Sequence, residues 1–252
     1  CDANTPLDIY KLGAELTKRG LGFPQYDNDD VVIPGLMKLG YSKEDAHNYV
    51  VAACWEFIIP KNGMEIPNID ALSFAEIVSD AVQSLGNYAS YEELYGAIDA
   101  KIKAECERIT SSHDNLYFAP APFLSTIMGG TIAKAKDISE GGNSNNYGVH
   151  GVGLATAADS LAAIHRWVYE RGEVTVPALI AALDADFADT PELLHRLRYE
   201  SSKAGSSTDS GEAEEMMIWL GNCFADALAG CPLASVMDAP IVLVNGASAV
   251  LP

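Results

Sequence analysis

The run Val50-Val51-Ala52-Ala53-Cys54-Trp55-Glu56-Phe57-Ile58-Ile59-Pro60 is apolar and rich in β-branched residues, interrupted by one thiol and one carboxylate. That pattern predicts an extended segment. Alternation along an extended chain puts residues i and i+2 on one side, so Cys54 and Glu56 are expected to face one cavity. Most of the remaining chain has helical spacing. Thr5-Pro6 reads as a cap and first turn for a helix with Ile9, Leu12 and Leu16 on its inward face. Val31-Val32-Ile33-Pro34 is predicted to lead into a second helix through Leu39. Ser42-Lys43-Glu44-Asp45 reads as a capping box for a third, carrying Ala46, Tyr49 and Val50. Further helices are predicted over 74–85, from the Ser90 cap to about Ile109, over 123–135, over 159–170, from Thr175-Pro177 to Leu183, after Thr190-Pro191, and over 212–228.

Between these lie stretches with turn chemistry. Gly20 to Asp30 is dense in Gly, Pro, Asn and Asp, and its acids lack the spacing and terminal Glu of a calcium loop, so no metal is expected. Lys61 to Asn68 reads as a loop framed by prolines, which would put the Cys54/Glu56 pair close to a loop tip. Asp137 to Gly153 carries five glycines and three asparagines and reads as a long irregular loop, in which His150 either lines a pocket or is bonded locally. The glycines from 148 to 153 lack the Lys-Ser/Thr of a phosphate cradle. Lys203 to Ser210 reads as a polar turn.

The chain has 252 residues, 48% of them hydrophobic, with mean hydropathy +0.06. That suits a globular fold with a sizeable core. No apolar run is long enough to span a bilayer. A formal charge of −19 and a pI near 4.4 argue against nucleic acid and anionic membranes as partners. The five cysteines (1, 54, 106, 223 and 231) show neither C-x-x-C nor zinc spacing, so reduced thiols and a cytoplasmic location are expected. Cys106 keeps helical spacing with Ile98 and Ile102 and reads as core. The chain opens on Cys1 rather than Met and is expected to be a piece of a longer one.

Two readings fit the pair at 54 and 56. In the first, Cys54 packs as a small hydrophobe and Glu56 reaches solvent at the strand end. In the second, a carboxylate in so apolar a run is costly unless it is hydrogen-bonded, protonated or used, as general bases are. A thiol beside a carboxylate and away from cations stays S–H, which suits hydrogen-atom donation better than ionic attack.

At these residues the sequence resembles the glycyl radical enzymes, the pyruvate formate-lyase-like superfamily. The resemblance rests on Thr17-Lys18-Arg19-Gly20-Leu21-Gly22-Phe23-Pro24 with Asn28-Asp29, on Ala53-Cys54-Trp55-Glu56, and on Pro120-Ala121-Pro122-Phe123-Leu124-Ser125. It continues through Glu140-Gly141-Gly142, Asn146-Tyr147-Gly148 and Gly153 to Leu161, all in family order over roughly residues 10–230.

The resemblance implies a helix-rich α/β fold, part of a ten-stranded β/α barrel, with residues 1–230 supplying its C-terminal half and 231–252 a divergent tail. It implies that Cys54 becomes a thiyl radical and that Glu56 is the base of the eliminating branch, acting on a small hydroxylated or aminated substrate. Asn68 and Tyr147 are candidate substrate contacts. It also implies a radical-SAM activating enzyme as partner, a homodimer for the full-length protein, and a glycyl radical as the only cofactor. Nothing after Leu228 resembles the glycine segment that stores that radical, so this polypeptide alone is expected not to hold one. Trp55 and Phe57 also stand where better-known eliminases carry a smaller residue and a proline. The alternatives are a formate C-acetyltransferase, which the single thiol disfavours, a structural chain without catalysis, and a thiol hydrolase using Cys54 and His150.

Overall fold

The structure is a computed structural model that describes residues 1–52, 56–113, 117–205, 211–231 and 241–244, with side chains throughout except at 67, 68, 146 and 241–244. In chain order the elements are α1 (Leu7–Lys18), α2 (Asp29–Lys38), α3 (Lys43–His47), β1 (Val50–Ala52), β2 (Glu56–Ile58) and β3 (Glu65–Ser73). There follow α4 (Phe74–Gln83), α5 (Tyr91–Ser112), α6 (Pro122–Ile127), α7 (Thr131–Lys134), α8 (Ile138–Gly141) and β4 (Asn146–Val152). The chain continues through α9 (Leu154–Ile164), a π-helical turn over His165–Glu170, α10 (Val176–Asp184), α11 (Pro191–Tyr199), α12 (Glu212–Gly230) and β5 (Ile241–Val244). None of the described helices is long and apolar enough to cross a membrane.

The residues divide into two compact units. The first gathers 1–52, 57–64 and 121–144. Its small core is Leu36, Ala46 and Ile59, with Tyr49 and Phe57 packed edge to face at 5.3 Å. Asn28 caps α2 by accepting from Asp30 N–H, which moves the helix start into the stretch read as a turn and leaves Pro34 inside it. Ser42 caps α3 as expected, accepting from Asp45 N–H, but the helix stops at His47 and Val50 enters β1. Thr5 does not cap α1, because its hydroxyl bonds the Asp2 backbone N–H and carboxylate instead. The expected inward face of α1 is exposed too, with Ile9 at 53% and Leu12 at 58%. The helix predicted over 123–135 is broken into α6 and α7 at Gly129-Gly130, where Gly130 adopts φ +89° and approaches the Asn143 side chain and Gly141 carbonyl too closely for a β-carbon.

The second unit gathers 53–56, 65–120 and 145–252. Its sheet is parallel, in the order β3-β4-β5. Parallel strands are covered on both faces and do not show a polar/apolar alternation. That explains the two largest departures from expectation: β3, whose first residues 65–68 fall in the expected loop, and β4, which lies inside the other expected loop, are strands. Pro67 falls where the β3–β4 register shifts, between Ile66 and Asp70. A bulge is where a residue lacking an N–H can sit within a strand.

Helices α4, α5, α9 and α12 cover one side of this sheet around Leu72, Phe74, Ile98, Ile102, Leu161 and Phe224, all buried. Ser73 and Ser90 cap α4 and α5 through Glu76 and Glu93 N–H, so those predicted starts hold. Cys106 is fully buried in the same core, as its spacing implied. Helix α9 starts at Leu154, before the predicted Asp159, because Gly153 in the left-handed region at φ +72° turns β4 directly into it. Of the polar turn expected over 203–210, residues 206–210 lie outside the described residues. Within the tail, Ile241–Val244 add the third strand beside β4, which the sequence reading did not anticipate.

Candidate active site on the central strand

The extended run expected over 50–60 is two short strands, β1 and β2, that pair with each other. Cys54 itself lies outside the described residues.

Glu56, the first residue of β2, is 1% exposed, so the reading in which it reaches solvent does not hold. Its Oε1 lies 3.2 Å from Nε2 of His150, whose side chain is 13% exposed. The two groups are at ion-pair distance but are not aligned as a formed hydrogen bond, and Nε2 has no hydrogen-bond partner among the described residues. Catalytic contacts are often loose before substrate arrives and tighten afterwards.

Strand β4 positions that imidazole. Residues i and i+2 share a face, so Val149 and Gly151 turn toward the helices while Gly148 and His150 turn the other way. The helix side is fixed by Gly151, which faces Phe74 and Phe224, and by the buried Val149. In the register, Ala71 of β3 and Val244 of β5 flank His150. The histidine is therefore not bonded within a loop. It stands on the middle strand of a sheet, and its side chain meets a buried carboxylate. A parallel-strand reading of Gly148 to Val152 would have been the signal for this pairing, but glycine density masked it.

Tyr147 is 2% exposed on β4, and alternation places it on the face opposite His150. Burial pushes its phenol up to about 12. Asn68 lies on β3, and its side chain is outside the described residues. Among the described cysteines, burial pushes the Cys106 thiol up to about 12 and the Cys223 thiol to about 11. Neither has the electropositive setting that makes a thiolate nucleophile. The described residues contain no group of three or more His, Cys, Asp or Glu arranged to hold a metal ion.

A family model described as "Pyruvate formate lyase-like" matches residues 1–235. The chain belongs to that family. This pyruvate formate lyase-like chain is 30% identical over 255 residues to the trans-4-hydroxy-L-proline dehydratase of Clostridioides difficile, covering 90% of this chain and 31% of the relative. It is 25% identical over 249 residues to the (2S)-3-sulfopropanediol dehydratase of Klebsiella oxytoca, covering 90% of this chain and 30% of that one. Among solved structures, the B12-independent glycerol dehydratase of Clostridium butyricum superposes with a TM-score of 0.76 at 26% identity. That match covers 95% of this chain and 33% of the other. The pyruvate formate lyase-like chain thus spans about a third of the length of these three relatives, each of which is named a dehydratase.

Proposed function

We propose that this chain forms part of a glycyl radical dehydratase or lyase acting on a small hydroxylated or aminated molecule. In this reading the parallel strands β3, β4 and β5 belong to a ten-stranded β/α barrel, with Glu56 and His150 on its inner side. The observation that carries the proposal is the burial of Glu56, a carboxylate almost wholly removed from water and facing an imidazole. Such a group costs several kcal/mol to bury and is retained where it is used or tightly paired.

The residues present fit a radical route: a buried carboxylate on an apolar strand, in a chain whose Cys106 and Cys223 are not thiolate nucleophiles. A glycyl radical, installed by a radical-SAM activating enzyme, would supply the oxidising equivalent to the Cys54 sulfur. The Cys54 sulfur takes a hydrogen atom from a substrate carbon, so one C–H bond breaks and one S–H bond forms. Glu56 then accepts the proton of the hydroxyl on that carbon as a carbonyl forms. The bond to the leaving group on the adjacent carbon breaks, its electron pair goes with that group, and the proton held by Glu56 passes to a departing hydroxyl, so that water leaves, or amine or sulfite in its place. The remaining carbon radical takes the hydrogen atom back from Cys54. Water exclusion by the buried setting protects the radical stages. Asn68 is proposed to border the substrate; Tyr147, buried on the face of β4 opposite His150, is proposed to support the strand beneath it instead, and the full-length protein is proposed to be a homodimer.

The test is to express the longest reading frame carrying this chain together with an activating enzyme, without oxygen. Trans-4-hydroxy-L-proline, glycerol and (2S)-3-sulfopropanediol serve as probes, because relatives carry those names. A glycyl EPR doublet, turnover of a probe, and loss of turnover in Cys54→Ser are expected. Absence of the doublet, or turnover surviving in Cys54→Ser, overturns the reading.

A further inference from the structure

We infer that His150 is the positioning residue for Glu56, holding the carboxylate oriented and ionised until a substrate hydroxyl arrives. The inference rests on the proposed elimination and adds a residue to it.

Three observations carry it. His150 Nε2 lies 3.2 Å from Glu56 Oε1, with both side chains largely buried. The same nitrogen is buried and makes no hydrogen bond to any described residue, so it is not committed elsewhere. The strand beneath it is held on both edges by β3 and β5 and on its far face by Phe74 and Phe224 packing at Gly151. Sites carried on such elements are more precise than sites on loops.

The chemistry follows from burial. A carboxylate without water needs a partner for its charge, and a base must be ionised before it can accept a proton. An imidazole can provide a proton-bearing nitrogen without the permanent charge of Lys or Arg, so neither the free nor the proton-loaded state of Glu56 is locked in. The looseness of the contact leaves room for Glu56 to turn toward a hydroxyl while staying within reach of Nε2.

The experiment uses the activated full-length protein and the same three probes, comparing the parent with His150→Ala and His150→Gln. In His150→Ala, kcat is expected to fall by about 10²-fold, the scale of a misplaced catalytic group. KM and the EPR doublet should stay near parental values, because hydrogen-atom abstraction by Cys54 precedes the proton step. His150→Gln, which keeps an N–H near the same place, should recover at least about tenfold of that loss, one order within the same scale. If His150→Ala keeps kcat within twofold, or if His150→Gln is no better than His150→Ala, the positioning role is overturned while the radical reading stands. No doublet in the parent overturns the radical reading, and this inference with it. Should His150→Ala fail to fold, His150→Gln alone decides: with the doublet retained, kcat at or above about a tenth of parental supports the role, and a lower kcat overturns it.

Discussion

A β-carbon on residue 151 would stand 2.6 Å from Cε2 of Phe74. Phe74 is 1% exposed and packs edge to face on Phe224 at 5.5 Å, so its ring has nowhere to move. The glycine is thus a packing requirement of β4 rather than a sign of looseness. Gly151→Ala is expected to lower stability by about 1–3 kcal/mol through overpacking. A urea titration should show a lower midpoint with an unchanged slope. A midpoint equal to the parent's would mean that β4 does not press on α4.

Asp137 holds the turn between α7 and α8 together. Its carboxylate accepts from the Ala121 N–H at 2.8 Å, from the Ser125 hydroxyl at 3.0 Å and from the Ser139 N–H at 3.3 Å. The Ala121 bond above all, with the others behind it, holds this carboxyl below its ordinary range. A lowered folded-state value means that the stabilisation is complete above the ordinary carboxylate range and is lost as pH falls through Asp137's own value. Asp137→Asn should therefore speed amide exchange at Ala121 and Ser139 at neutral pH. The difference from the parent should shrink on acidification. A difference that grows toward acid pH would contradict the assignment.

Much of the second unit's helical framework was legible from side-chain spacing alone. Ser73, Ser90 and Thr175 cap the helices at or near the positions that the pattern indicated, because a capping hydroxyl and the apolar stripe behind it are local signals. The strands carrying the site were not legible. Strand β4 reads Asn-Tyr-Gly-Val-His-Gly-Val, in which the glycines that make room for aromatic rings look like turn residues until Phe74 and Phe224 are placed beside them. Strand β3 contains Pro67, tolerated because the register slips there. Glu56 was recognised by its cost in an apolar run, whereas its partner lay in a segment that the sequence assigns to a loop. The exposed faces of α1 and α6, with Leu12 at 58% and Phe123 at 77%, show the same dependence. Their amphipathic pattern implies a covering surface that the described residues do not supply.

Cys106 and Cys223 provide a chemical background against which Cys54 can be read. Both thiols are pushed up by burial, to about 12 and about 11, so neither forms appreciable thiolate at neutral pH. Iodoacetamide should label both slowly in the folded protein and rapidly after unfolding in urea, as followed by mass spectrometry. If Cys54 is a protected hydrogen-atom donor, it belongs with the slow group. Rapid labelling of Cys54 at neutral pH would instead favour thiolate chemistry with His150, the hydrolase alternative.

Glu56→Gln separates a working carboxylate from a structural one, because the two roles give opposite signs. The amide has nearly the same shape and removes a charge from a site that is 1% exposed. Replacing a buried charge by a neutral isostere often leaves stability unchanged or higher, provided the group's bonds are kept. A purely structural ion pair with His150 would instead lose stability with the charge, because its partner is left without compensation. As a general base, Glu56 should lose about 10²–10⁴-fold in kcat on substitution. The variant's glycyl EPR doublet should persist, since the radical steps at Cys54 precede the proton step. The informative pair of measurements is thus a thermal melt and a turnover assay on one variant. A melt at or above the parental temperature with turnover reduced by at least about a hundredfold supports the proton role. A lowered melt with activity intact makes the Glu56–His150 contact a structural element and moves the catalytic base elsewhere.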